Sequence, residues 1–264
     1  MADTDAVRGA GLPDRLPAAQ TPSGAVPPAA EPERVMTLVD HLTELRSRIV
    51  RAMLAVVVGS VVGFLIANPI ENILTAPLPA SALPLQFLSP GDGFSIQIRI
   101  AVVVGVILAM PVLLYQLWSF ISPGLTLAER RALRPWIPLA LFFFVLGVSI
   151  AYAILPFAIG FLLAFTSPVL VAHLAATPYF DFVTTMFLAF GLLMEFPIVV
   201  YALARVGILS SARLTSSRRF IFLGIVIFAT IATPGGDLVS PTILATTMYI
   251  LFELTLRAIR RSGR

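Results

Sequence analysis

The chain has 264 residues, 58% of them hydrophobic and only 12% charged, about half the charged share of an ordinary soluble domain. It has no cysteine, which excludes disulfides, thiol catalysis and cysteine-held metals. All 18 basic residues are arginine and the net charge is +4; in so apolar a chain this excess fits loops retained on one side of a membrane better than nucleic-acid binding.

Residues 1–34 carry Pro13, Pro17, Pro22, Pro27, Pro28 and Pro32 with no apolar periodicity, which predicts a disordered tail. The tail lacks an apolar h-region, so no cleaved secretory leader is expected. Residues 37–51 read as a short amphipathic helix entering a first span. Thr37 and Asp40 fit a capping box, and Leu38, Leu42, Leu45 and Ile49 form an apolar stripe. His41, Glu44 and Arg48 fall on another face, with Glu44 and Arg48 at the favourable i,i+4 spacing.

Six apolar segments follow, near 49–67, 94–118, 136–157, 179–204, 218–232 and 238–256. Four reach the roughly 20 residues that a hydrocarbon core of about 30 Å requires. The fifth is short, and the sixth is diluted by Ser240, Pro241, Thr242, Thr246 and Thr247. That pair is expected to thin the bilayer locally, or else to form a re-entrant hairpin. Pro111, Pro135, Pro138, Pro156, Pro197 and Pro241 lie at or within the segments and predict bent helices around a groove. No internal repeat accompanies them, which weakens a transporter built from inverted repeats.

Arginines set the orientation. The N-terminal region, the 119–134 loop, the 205–219 loop and the C-terminus hold 17 of the 18, while the opposite loops carry Glu71, Asp92 and Asp237. Arg99, just inside the second segment, is the exception. The positive-inside rule places both termini in the cytoplasm. The expected fold is all-α: a polytopic membrane protein of six transmembrane helices over residues 35–258, kinked by prolines into a concave groove, with a basic tail at 259–264.

Two places could carry chemistry. Glu195 lies in the interior of the fourth segment, where a carboxyl is costly and by default functional; the structural alternative is a satisfied interhelical hydrogen bond. At the cytoplasmic rim, the stretch Met110–Arg134 ends an apolar segment in Trp118 and Phe120, turns at Ser122-Pro123-Gly124 and runs into Glu129-Arg130-Arg131. Glu129 together with Glu44 would offer the two carboxylates that two guanidinium groups of a cationic peptide need. The alternative is that both are topological rim charges. Enzyme constellations are missing: His41 and His173 fall on opposite sides, no G-x-S-x-G elbow occurs, and Gly91-Asp92-Gly93 is a turn without the Lys of a phosphate loop. No Asp in a neighbouring span is expected to make a dyad with Asp237. Neither an enzyme nor a cofactor is expected.

Taken together, the segments resemble TatC, the polytopic core subunit of the twin-arginine protein translocase, over about residues 36–258. His41-Leu42-x-Glu44-Leu45-Arg46-x-Arg48 resembles the family's N-terminal motif and Ala76-Pro77-Leu78 its first outer loop. The most specific part is Pro111, Tyr115-Gln116, Trp118, Phe120, Pro123-Gly124-Leu125 and Glu129-Arg130-Arg131. Phe190-Gly191 with Glu195-x-Pro197 fits the fourth span, and Thr233-Pro234 with Asp237 the last outer turn. That turn departs from the usual Thr-Pro-Pro-Asp form, being one residue longer through Gly235-Gly236, and Pro241 and Thr247 also differ from many members.

The resemblance implies a receptor for exported proteins with a twin-arginine signal. Glu44 and Glu129 would hold the arginine pair, with Arg46, Arg48 and Phe120 helping to form the site. Glu195 would meet single-span partners of the TatA/TatB type, assembled on the short fifth and sixth spans, while Pro77 and Asp237 would shape the outer loops. It further implies self-association in a receptor complex, a prokaryotic plasma membrane as the location, and transport driven by the proton gradient, without nucleic acid. The alternative reading is a proton-coupled small-solute transporter titrating on Glu195.

Overall fold

Hydrocarbon offers no partner for backbone N–H and C=O groups, so a chain this apolar must satisfy them within helices or a closed barrel. This chain uses helices. The structure, a computed structural model, describes residues 38–165, 173–234 and 236–261. The expected tail at 1–34, Thr37 of the predicted capping box and the last three residues lie outside them.

The first helix, α1 (Leu38–Leu65), runs 28 residues without interruption. The amphipathic start and the first span are therefore one rod, not a short helix followed by a span. A short α2 (Ala67–Thr75) turns back towards the long α3 (Asp92–Ile121). A short helix of about two turns, α4 (Leu127–Leu133), precedes α5 (Trp136–Leu163). The fourth apolar segment is split into α6 (Ala176–Leu193) and α7 (Phe196–Arg205), with the break at Met194-Glu195. The chain ends in α8 (Ser211–Ser216), α9 (Arg218–Ala232) and α10 (Val239–Arg261).

Among the described residues, five stretches are long and apolar enough to cross a membrane: those containing α1, α3, α4–α5, α6–α7 and α10. The fifth segment, α9, has 15 residues, about 22 Å of helix against a core of about 30 Å. The sixth reaches farther than its composition promised. Thr242, Thr246 and Thr247 each donate their hydroxyl to the carbonyl four residues back, at 2.6, 2.7 and 2.8 Å, so no unsatisfied donor is presented to lipid.

The prolines divide into two groups. Pro111 and Pro156 lie inside α3 and α5, and both helices continue through them. Pro135, Pro138, Pro197 and Pro241 sit at helix starts, where the missing N–H would have no intrahelical partner anyway. The fourth segment is interrupted just ahead of Pro197: Met194 N–H donates to the Phe190 carbonyl, but Glu195 N–H reaches only to Leu192.

Small residues set the helix spacing. Gly59 and Gly63, a Gly-x-x-x-Gly pair on α1, lie against Gly105 and Ala101 of α3 so closely that a Cβ on either glycine would come within 2.6 Å of a carbonyl oxygen. The same device joins α5 to α6, where a Cβ on Gly147 would meet the Phe190 carbonyl at 2.4 Å and one on Gly191 the Phe144 ring at 2.7 Å. Lipid drives no hydrophobic collapse between helices, so such close approach supplies the association through dispersion. Most of the best-buried large side chains, Phe144, Leu155, Phe180, Phe190, Leu244 and Phe252 among them, come from α5, α6 and α10.

One end of the bundle is tied by the chain segments around α2. Gln86 exchanges backbone hydrogen bonds with Leu174 and Ala176 in an isolated parallel bridge, and Tyr179 of α6 donates its hydroxyl to the Leu74 carbonyl at 2.6 Å. Pro77 follows Ala76, the C-cap of α2, where a residue unable to continue the helix is expected. Near this end Arg99 of α3 is salt-bridged to Asp181 of α6. Asp181 is an aspartate within a span, contrary to the expectation that none accompanies Asp237, but its carboxylate is engaged by Arg99. The pair neutralises the one arginine that departs from the positive-inside pattern. Both side chains are two-fifths exposed, so Asp181→Asn is expected to cost only about 0.5–1 kcal/mol. Arg99→Gln added to it should restore most of the loss in thermal unfolding of the detergent-solubilised protein.

Candidate functional site

At the opposite end of the bundle the start of α1 meets the end of α3. His41 stacks on Phe120 with ring centroids 4.5 Å apart and planes inclined by 21°. This contact joins residues 79 positions apart in the chain. It brings the N-terminal motif to the loop that carries Glu129.

On α1, one turn beyond His41, the Glu44 carboxylate accepts the Arg48 Nε–H at 2.9 Å, and Arg48 Nη2 donates to the same oxygen. The other carboxylate oxygen, Oε2, is buried and accepts no hydrogen bond. Arg46 is exposed.

After α3 the chain makes a single 3-10 turn at Ser122–Gly124. Arg130 folds back and donates Nε and Nη2 to the Ser122 carbonyl at 3.2 and 2.6 Å. Thr126 and Glu129 form a reciprocal capping box: the Thr126 hydroxyl accepts the Glu129 N–H at 3.4 Å, and Glu129 Oε2 accepts the Thr126 N–H at 3.0 Å. A carboxylate here is favoured by the partial positive charge of the helix start. Glu129 therefore has a local structural task that its sequence position alone did not reveal, though the Thr-x-x-Glu spacing is a capping signature. The loop is anchored by Trp136, which stacks on Tyr201 of α7 with centroids 3.6 Å apart. Tyr201 in turn accepts a hydrogen bond from Arg205 Nε at 2.9 Å.

Glu195 occupies the break between α6 and α7. It is half-buried, and its Oε1 has no hydrogen-bond partner, so a satisfied interhelical bond to that oxygen is not what holds it there. Asp237 is 5% exposed and accepts the Ser240 N–H at 2.6 Å through Oδ1, capping the start of α10. Gly236 before it has φ +69°, a left-handed conformation that glycine adopts without strain. The turn therefore favours glycine at 236. Between α9 and α10 beside this turn lies a groove of about 400 Å³, lined by Phe222, Val226, Thr233, Asp237, Pro241 and Thr246 among others.

Sequence reading passed over three contacts of this framework: Arg99–Asp181, Trp136–Tyr201, and the ion pair of Arg218 with Glu253 at 3.1 Å. Opposite charges near the same end of two spans were the available signal for the first and third.

Residues 40–246 match the family model described as Sec-independent protein translocase protein (TatC). The chain belongs to the TatC family. The TatC protein of Carboxydothermus hydrogenoformans is 34% identical over 225 residues, which are 85% of this chain and 93% of the relative. That of Aquifex aeolicus is 37% identical over 227 residues, covering 84% and 93%. A crystal structure of the twin-arginine translocase receptor TatC in DDM superposes with a TM-score of 0.73 at 34% identity, covering 83% of this chain and 98% of that one. The TatC family consists of components of a protein translocase, not of enzymes, and nothing in these matches favours a small-solute transporter. With its apolar helices, this TatC-family chain is a multi-pass membrane protein.

Proposed function

We propose that this chain is the twin-arginine signal-peptide receptor and core of a Sec-independent translocase that exports folded proteins, driven by the proton gradient. The observation that carries the reading is the His41–Phe120 stack. It sets Glu44 and the Glu129 loop at one end of the bundle, the end that also holds Arg130, Arg131 and Arg134. Two carboxylates there match the two guanidinium groups of the signal, one fork for each. Arg46, Arg48 and Phe120 frame the site. That end faces the cytoplasm by the positive-inside rule, with both termini inside and the plasma membrane of a prokaryote as the location.

Single-span subunits of the TatA/TatB type dock near Glu195, whose unpartnered oxygen in a span calls for a polar partner. They gather where the short α9 thins the bilayer, and further copies of this chain join them in a receptor complex.

The test is site-specific crosslinking. A photoreactive group beside the arginine pair of a twin-arginine precursor, presented to membranes containing this protein, is expected to give adducts near Glu44 and Glu129. Those adducts should vanish when the pair becomes Lys-Lys. No adduct in membranes where the protein is demonstrably folded would remove the receptor reading.

A further inference from the structure

Glu44 is already occupied. Both Arg48 contacts converge on one carboxylate oxygen, Oε1, while Oε2 is buried and accepts nothing. The two side chains are 17% and 20% exposed, so water screens this pair less than it would a pair on an open rim. A guanidinium arriving from outside makes its strongest contact by forking onto both oxygens of one carboxylate. Here one of those two oxygens is held by the protein's own guanidinium.

We propose that Arg48 is a resident competitor for Glu44, an internal stand-in for the ligand's arginine that must let go before the ligand binds. The proposal rests on the reading of Glu44 as an arginine receptor. It assigns Arg48 the opposite sign to that of a binding residue. A site that must open before it binds shows an affinity scaled down by its open fraction. Arg48 therefore weakens binding of every ligand that needs Glu44, by the same factor. With no ligand present, it keeps the carboxylate paired within its own helix.

The experiment measures binding of a synthetic peptide carrying an Arg-Arg pair to the full chain in nanodiscs, with a Lys-Lys peptide as control. Arg48→Gln is expected to tighten the Arg-Arg peptide about two- to fivefold. Arg48→Lys should tighten it by less, because an ammonium keeps the charge but loses the two-pronged hold. Glu44→Gln should weaken binding, and in that background Arg48→Gln should have no further effect, the signature of a coupled pair.

Unchanged or weaker binding by Arg48→Gln, with Glu44→Gln still weakening it, overturns the competitor and leaves the receptor reading intact. Arg48→Lys behaving as the parent while Arg48→Gln tightens would reduce Arg48 to a repulsive charge and also overturns it. Wild-type affinity in Glu44→Gln overturns the receptor site and the competitor together. If Arg48→Gln does not fold, Arg48→Lys decides between tightening and no change.

Discussion

Glu129→Gln is expected to weaken binding of a twin-arginine peptide by about ten- to a hundredfold while leaving the loop folded. One charge-assisted pair contributes about 1.5–3 kcal/mol, and glutamine removes the charge. Glutamine at the third helical position still closes a capping box, so the Thr126 N–H keeps its acceptor. Glu129→Ala loses both, and should additionally destabilise the loop by about 1 kcal/mol. Comparing the two variants separates the electrostatic task of Glu129 from its structural one. Glu44→Ala is expected to match Glu129→Gln in the binding assay and, like it, to stop export of folded precursors while membrane insertion persists. Normal export in both Glu44→Ala and Glu129→Gln would sink the proposed site.

Gly105→Leu is expected to be the most damaging single change in the framework. A Cβ there would sit 2.3 Å from Ser60 Oγ, 2.6 Å from the Ser60 backbone nitrogen and 2.8 Å from its Cα. The hydroxyl could swing away, but the backbone cannot, so α1 must move off α3. Overpacking of this kind costs about 3 kcal/mol, and α1 carries both His41 and Glu44. Loss of the thermal transition, or a large drop in it, should therefore come with loss of peptide binding. Gly160→Ala in α5 is the control: beyond its chain neighbours and its own helix backbone, no atom lies within 4 Å of its Cβ position. A mid-helix glycine replaced by alanine should gain about 0.5–1 kcal/mol. Equal stability of Gly105→Leu and the parent would mean that the α1–α3 contact does not hold this bundle together.

Membrane residence, helical class and the sidedness of the arginines were legible in the chain itself, because hydropathy and the clustering of charge are linear properties. Runs of about 20 apolar residues and 17 arginines in two loops and the two terminal regions require no knowledge of contacts. The short fifth segment was equally plain, since the length of an apolar run is read directly from the sequence. Glu44, Glu129 and Glu195 could be singled out as acids at a rim or in a span.

The local contacts were within reach of spacing, Glu44 with Arg48 four residues on and Thr126 with Glu129 three residues on. Contacts between distant positions were not, for they depend on which helix faces which: only the fold stacks His41 on Phe120 and pairs Arg99 with Asp181. The break at Met194-Glu195 was hidden for a related reason. Pro111 and Pro156 leave their helices running while the chain ahead of Pro197 does not, so packing around each proline, not the proline itself, decides where a span parts.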